Sequence, residues 1–393
     1  GDALVNTISG EGGDDVIDGR NGADNLQGGL GNDRFVAHLG DGSDSIDGGE
    51  GAVGEVGSDT VDYSEINNGV IAASQVNINI DLADGTATSN VQTKVFDAAD
   101  GTYVNEDTIK NIENIIGSNQ NDTISGNSEI NTLKGEAGSD TIYGEGNDDT
   151  LQGDTGNDSL DGGAGNDSIE GGEGDDTLSG GIGADKIYGG DKNDVDSSLN
   201  DTVSYQYVTD SAKRAIINLE LKEGKVVDNL GAVVDGDSDE LRGIDNALGG
   251  AGNDTITGSN VGNTLEGGAG IDTLEGLKGE DVLIGGNNVS DVNNYADYSS
   301  ENKIQVTLAS DVTTTASIVK IDADTTDGNE WSDDTTGVGG SNTNDEADTI
   351  TYIQNIRGSD SGSDEITGND STNIFYGQAG NDTLDGKGAV DTL

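Results

Sequence analysis

The sequence of 393 residues has no cysteine, no proline and no methionine, one histidine, one tryptophan and only 17 basic side chains. Each absence removes a class of explanation. Without cysteine there is no disulfide framework and no thiolate, and a single histidine, His38, leaves zinc centres and Ser/His/Asp or Cys/His constellations almost no raw material. The few Lys and Arg residues are not clustered, so no nucleic acid or anionic membrane partner is expected. No run approaches the roughly 18 apolar residues of a membrane span, and no basic-then-apolar leader opens the chain at Gly1. Hydrophobic residues make up 31% and aromatic residues 4%, thin material for one large core.

What the chain has instead is glycine, 65 residues, and acid, 77 Asp and Glu, for a formal net charge of −60. A chain so charged repels itself unless cations neutralise it, and divalent metal is the expected counter-charge. The glycines and acids recur with period nine. Over 117–188 eight nonapeptides follow without a gap; each starts with Gly and carries Leu or Ile at its eighth position, from Ile124 and Leu133 to Leu178 and Ile187. The sixth position is Asp122, Asp140, Asp149, Asp158, Asp167, Asp176 and Asp185, and Asn131 is the one departure. The fullest copies are GGAGNDSIE at 162–170 and GGEGDDTLS at 171–179. The same phase picks out Asp15, Asp24 and Asp33, with Asp44 after a two-residue insertion; then Asp254, Asp272 and Asp281; then Asp364, Asp382 and Asp391.

The physics of the pattern follows from its residues. Glycines at positions 1, 2 and 4 permit a tight turn that aims backbone carbonyls at one point. Asp at position 6 adds a carboxylate, and oxygen-only ligands at flexible spacing suit Ca²⁺ better than Mg²⁺. The last three residues of each repeat read as a short strand with one side chain inward. One apolar residue in nine cannot form a core alone, so strands must stack, two nonapeptides to a coil, with adjacent coils roughly 4.8 Å apart. At that spacing bare carboxylates two repeats apart would repel, so the metal belongs to the fold; counting such pairs gives about 12 to 15 ions.

On these motifs the chain resembles the repeats-in-toxin (RTX, haemolysin-type calcium-binding repeat) family of secreted bacterial toxins, proteases, lipases, alginate epimerases, adhesins and surface-layer proteins. The resemblance implies an all-β fold of calcium-loaded parallel β-rolls (right-handed β-helix-like), calcium shared between turns two repeats apart, an extracellular or cell-surface location and export by a type I secretion system.

Four roll blocks, 1–61, 117–201, 249–294 and 358–393, alternate with three β-rich insertions, 62–116, 202–248 and 295–357. The insertions share a pattern. Each begins near an aromatic motif around Tyr63, Tyr205 or Tyr298, passes through an alternating strand such as Ile217, Leu219, Leu221, and ends in related stretches beginning at Asp107, Asp239 and Asp348. The second nonapeptide after each insertion has Asn at position 6, at Asn131, Asn263 and Asn373, and Asn6 fits the same slot. The phase leads to the expectation of a segment cut from a longer tandem array of one cassette.

Other motifs carry less. DGDSDE at 235–240 starts like an EF-hand loop, but Glu240 holds the Gly position; it reads as an irregular calcium site or as an acidic loop. GEGAVG at 49–54 satisfies a dinucleotide-binding spacing without its strand or helix, so it reads as turn residues. Trp331 and the tyrosines, Tyr143 and Tyr188 among them, are expected to pack at roll edges. The expected function is a non-enzymatic, calcium-dependent extracellular structural segment, of adhesin, surface-layer or filament type, with self-association through exposed strands. The alternative is the C-terminal calcium-binding portion of a secreted enzyme.

Overall fold

The computed structural model describes residues 1–38, 42–49, 57–64, 78–82, 91–97, 102–190, 200–228, 230–234, 236–286, 294–298, 304–307, 317–321, 346–351, 353–360 and 362–393. Among them every regular element is a β-strand, most of three to six residues, and no helix occurs. The stretch 51–54 of the dinucleotide-like motif, Trp331 and Asp235 lie outside the described residues.

The strands arise where most nonapeptides supply Thr or Ser, then Leu or Ile, then a polar residue. The β-branched or hydroxylated first residue suits a pleated surface, and the middle residue turns inward. Partners are 18 residues apart and parallel: Thr123 faces Thr141, Thr141 faces Ser159 and Ser159 faces Thr177. In the alternate repeats Thr132 faces Thr150, Thr150 faces Ser168 and Ser168 faces Lys186. Two nonapeptides therefore make one coil, and odd and even repeats build separate ladders. Between the ladders run two columns of apolar side chains, Ile124–Ile142–Leu160–Leu178 and Leu133–Leu151–Ile169–Ile187, each residue at most 1% exposed. Burying one such side chain stabilises by about 1.5–3 kcal/mol, so the core is linear and grows with each coil.

The chain forms two compact units, 1–202 with 235–243, and 203–234 with 244–393. In the first unit one ladder runs without interruption through Val16–Asp18, Arg34–Val36, Thr60–Asp62, Asn114–Ile116 and Thr132–Lys134. The other ladder is split by the first insertion. There Thr102–Lys110 continues the stack on Ser45–Asp47, Val91–Asp97 follows antiparallel, and Ile78–Asp81 then carries the parallel stack on to Thr123–Asn127.

The second unit repeats this plan. Thr255–Ser259, Thr273–Leu277, Asn294–Asp297 and Ile353–Arg357 form the unbroken ladder. In its split ladder, Glu346–Thr351 stacks on Val282–Ile284, and the antiparallel strand Ser317–Ile321 leads to Ile304–Thr307, which starts the stack on Glu365–Thr367. Lys213–Asn218 likewise stacks on Thr255–Ser259 and pairs antiparallel with Glu223–Asp228.

Each insertion is thus a splice in one ladder. Tyr63, Tyr205 and Tyr298 are at most 2% exposed, whereas Tyr143 stands 42% exposed on the roll surface. Tyr188 carries the guanidinium of Arg242 over its ring, 6.0 Å from the centroid.

Candidate metal centre

Every position-6 aspartate precedes a strand or, for Asp391, the single bridge of Thr392 to Ile374, in the turn that closes half a coil. Asp24, Asp33, Asp44, Asp122, Asp140, Asp149, Asp158, Asp167, Asp176, Asp185, Asp254, Asp272, Asp281 and Asp364 are buried, while Asp15, Asp382 and Asp391 are half-buried. In the unbroken run one carboxylate oxygen, Oδ1, accepts the backbone N–H of the position-6 residue 18 residues earlier, at 2.7–2.8 Å. The bond recurs outside it, from Asp15 to Asp33, Asp24 to Asp44, Asp254 to Asp272, Asn263 to Asp281, Asp364 to Asp382 and Asn373 to Asp391. The aspartates thus form a column, each tied to the coil before it.

The second oxygen is the unusual one. The Oδ2 atoms of Asp15, Asp24, Asp33, Asp140, Asp149, Asp158, Asp167 and Asp176 are fully buried and receive no hydrogen bond. Leaving a charged oxygen buried without a donor is costly. Burial first, and then the neighbouring carboxylates Asp122 and Asp158, push the Asp140 carboxyl up to about 8. Burial does the same at Asp149, Asp167 and Asp176, each raised to about 7, with Asp167, Asp185 and Asp158 respectively the foremost repelling neighbours. Burial also raises Asp158 to about 6, with Asp154 the repelling neighbour. At neutral pH such a column calls for protons or a cation.

Glycine shapes the surroundings. A Cβ at Gly135, Gly153 or Gly171, all position 1, would overlap the Oδ2 of the same repeat's aspartate. At position 4 a Cβ on Gly156, Gly174 or Gly183 would overlap the position-4 carbonyl oxygen of the preceding coil. The turn therefore brings backbone carbonyls and one buried carboxylate oxygen together where no side chain fits. Among the described residues no three His, Cys, Asp or Glu side chains converge on a point. The donor set is one carboxylate per turn with carbonyl oxygens, which fits a hard cation that accepts six to eight oxygens and tolerates irregular geometry, Ca²⁺, and not zinc.

Five further aspartates join the column without the glycine pattern. Asp59 and Asp107 accept the N–H of Asp33 and Asp44, Asp201 and Asp239 that of Asp176 and Asp185, and Asp348 that of Asp281. Their signal is the triplet of Asp, Thr or Glu, and an aliphatic residue, as in Asp59-Thr60-Val61 and Asp348-Thr349-Ile350. Asp239 belongs to the EF-hand-like stretch, whose end is thus a roll coil. At Asp107 the Tyr63 hydroxyl donates to Oδ2 at 3.2 Å. His38 Nε2 lies 3.2 Å from Asp18 Oδ1 at the edge of the first block.

A model of the RTX calcium-binding nonapeptide repeat (4 copies) matches residues 1–52, 112–195, 241–288 and 359–393 in overlapping stretches that cover more than half of the chain. No curated protein matches it.

Proposed function

This chain belongs to the RTX calcium-binding nonapeptide repeat family, and we propose that it serves as a calcium-dependent extracellular scaffold, of adhesin, surface-layer or filament type, that folds when it meets calcium after secretion. The observation that carries this reading is the column of buried carboxylate oxygens without donors in the run 135–188. Repeats of this family bind calcium and are structural, not catalytic, and they occur in secreted proteins. No helix among the described residues is long and apolar enough to cross a membrane.

In this reading the position-6 aspartates of interior repeats are the calcium ligands. Low calcium leaves the column's repulsion uncompensated, so the chain with net charge −60 stays unfolded and fit for export. Calcium binding then supplies folding free energy directly, because the turn that holds the ion does not exist in the unfolded chain. Exposed strand edges of the insertions would let folded copies associate.

The test is circular dichroism with light scattering on the chain after chelation, titrated with Ca²⁺ and separately with Mg²⁺. A cooperative gain of β signal with calcium alone supports the reading, and rising scattering at saturation adds assembly. A chain equally folded in chelator would overturn it.

A further inference from the structure

The repeats fall into two classes that their consensus does not separate, and the divider is the residue at position 2. In interior repeats this residue has a left-handed backbone: Glu11 and Arg20 at φ 69° and 64°, Glu136 and Glu145 at 78° and 77°, Asp154 at 70°, Gly163 and Gly172 at 95° and 118°. Its N–H is then spent along the ladder. Gly29 donates to Gly48 O and Gly172 to Gly189 O, both at position 1 of the next coil. The aspartate of the same repeat receives nothing from it, and its Oδ2 is left buried and bare.

In the first two repeats after each of the three insertions the position-2 residues are Ser118, Asn127, Gly250, Ser259, Ser359 and Asn369, and none has positive φ. Their N–H groups point at their own position-6 side chains. Ser118 N–H donates to Asp122 Oδ2 at 2.6 Å, Gly250 N–H to Asp254 Oδ2 at 2.8 Å and Ser359 N–H to Asp364 Oδ2 at 2.7 Å. The second oxygen is met as well, by Ser118 Oγ, by Ala215 N–H and by Ser359 Oγ. In the second repeats the group is an amide: Asn131, Asn263 and Asn373 accept the N–H of Asn127, Ser259 and Asn369. Their Nδ2 atoms donate to Glu113 O, Asp245 O and Gln354 O in the preceding coil. Asn6 follows the rule, accepting the N–H of Asp2.

Burial does not distinguish the classes, since Asp122, Asp254 and Asp364 are as deep as Asp140. Hydrogen bonding does. We infer that the first two nonapeptides after each insertion are metal-independent caps, closed by their own position-2 N–H groups, and that calcium binding starts at the third repeat. This rests on the calcium-scaffold reading above and divides its sites. The caps hold a formed turn against which the first calcium-loaded coil can stack, so a block needs no ion at its leading edge.

The test uses the whole chain and calcium alone, with bound ions counted by equilibrium dialysis and elemental analysis. The variant D122N/D254N/D364N places in the first repeats the amide that the second repeats already carry. It is expected to bind as many ions as the parent, with a calcium midpoint for folding within about twofold. The interior variant D140N/D158N/D176N is expected to bind fewer ions with a higher midpoint. Equal loss of ions in both variants would overturn the cap inference and leave the calcium scaffold standing. Unchanged counts in the interior variant would overturn the scaffold itself. The reverse variant N131D/N263D/N373D checks the same point without depending on the first: it is expected to gain no ions and to fold less stably, and extra ions would overturn the caps.

Discussion

The run 135–188 and the hairpin insertion 213–234 each turn the chain sharply around an aspartate, and they treat that aspartate in opposite ways. In the turn that follows the second strand of the hairpin, Asp228 is half-buried, and its Oδ1 accepts the N–H groups of Ala232 and Leu230 at 2.9 and 2.8 Å, which hold its carboxyl below the usual range. In the run Asp140 is buried with an oxygen that nothing donates to, and its carboxyl is pushed up. The hairpin also buries its own apolar set, Ala215, Ile217, Leu219, Val226 and Val227. The run has one Leu or Ile in nine residues. One region is completed by its own groups, and the other is built with a charge left over, which ties its stability to an ion in solution.

Removing calcium should expose the difference most strongly. As calcium is drawn down to just above the folding midpoint, before the chain unfolds as a whole, hydrogen exchange is expected to accelerate at least about a hundredfold at the amides of Thr141, Ser159 and Thr177, and less than about tenfold across 213–228. Equal acceleration in both would break the comparison.

Glycine substitutions sharpen it next. Gly156 has φ 137° and no room for a Cβ beside Gly138 O, whereas Gly231 has φ 82° with nothing within 4 Å. Gly156→Ala is expected to cost about 3 kcal/mol at saturating calcium, strain plus overpacking, and Gly231→Ala about 1 kcal/mol, strain alone. Denaturant titration of both variants checks the ratio. Leu160→Ala, which opens a gap in the column between Ile142 and Leu178, is expected to cost about 3 kcal/mol, read as a lower denaturant midpoint.

The smallest effect tests a place where an insertion tyrosine supplies a roll carboxylate with its donor. Tyr63→Phe removes the hydroxyl at 3.2 Å from Asp107 Oδ2 and is expected to cost about 1 kcal/mol. A loss well above that would mean the ring position, not the hydroxyl, holds the site.

The period of nine made the roll legible because it repeats at the backbone's own scale: once Gly and Asp recur every ninth residue, Thr141 must face Ser159. Asp59, Asp107, Asp201, Asp239 and Asp348 escaped that reading because their coils carry only a triplet of Asp, Thr or Glu, and an aliphatic residue, without the glycines that announce a turn. Of the alternating Ile217, Leu219 and Leu221 only Ile217 falls in a strand, Lys213–Asn218; Leu219 and the exposed Leu221 lie in the turn that leads to Glu223–Asp228, because the chain folds back into a hairpin there while the first strand stacks on Thr255–Ser259. The split between capped and bare aspartates was equally hidden. Ser118, Glu136 and Gly163 are all acceptable turn residues, and only their backbone angles tell which way the N–H faces.

The unbroken ladder has a consequence for how such a chain can change. From Arg34–Val36 through Thr60–Asp62 to Asn114–Ile116 and Thr132–Lys134, consecutive rungs join across the whole of the first insertion, and Asn294–Asp297 to Ile353–Arg357 does the same across the third. The excursion between two rungs leaves and returns at fixed places, so its length is not counted by the stack. An insertion can grow, shrink or be exchanged for another while every later coil keeps its phase, which makes the roll a ruler and the insertions its interchangeable marks.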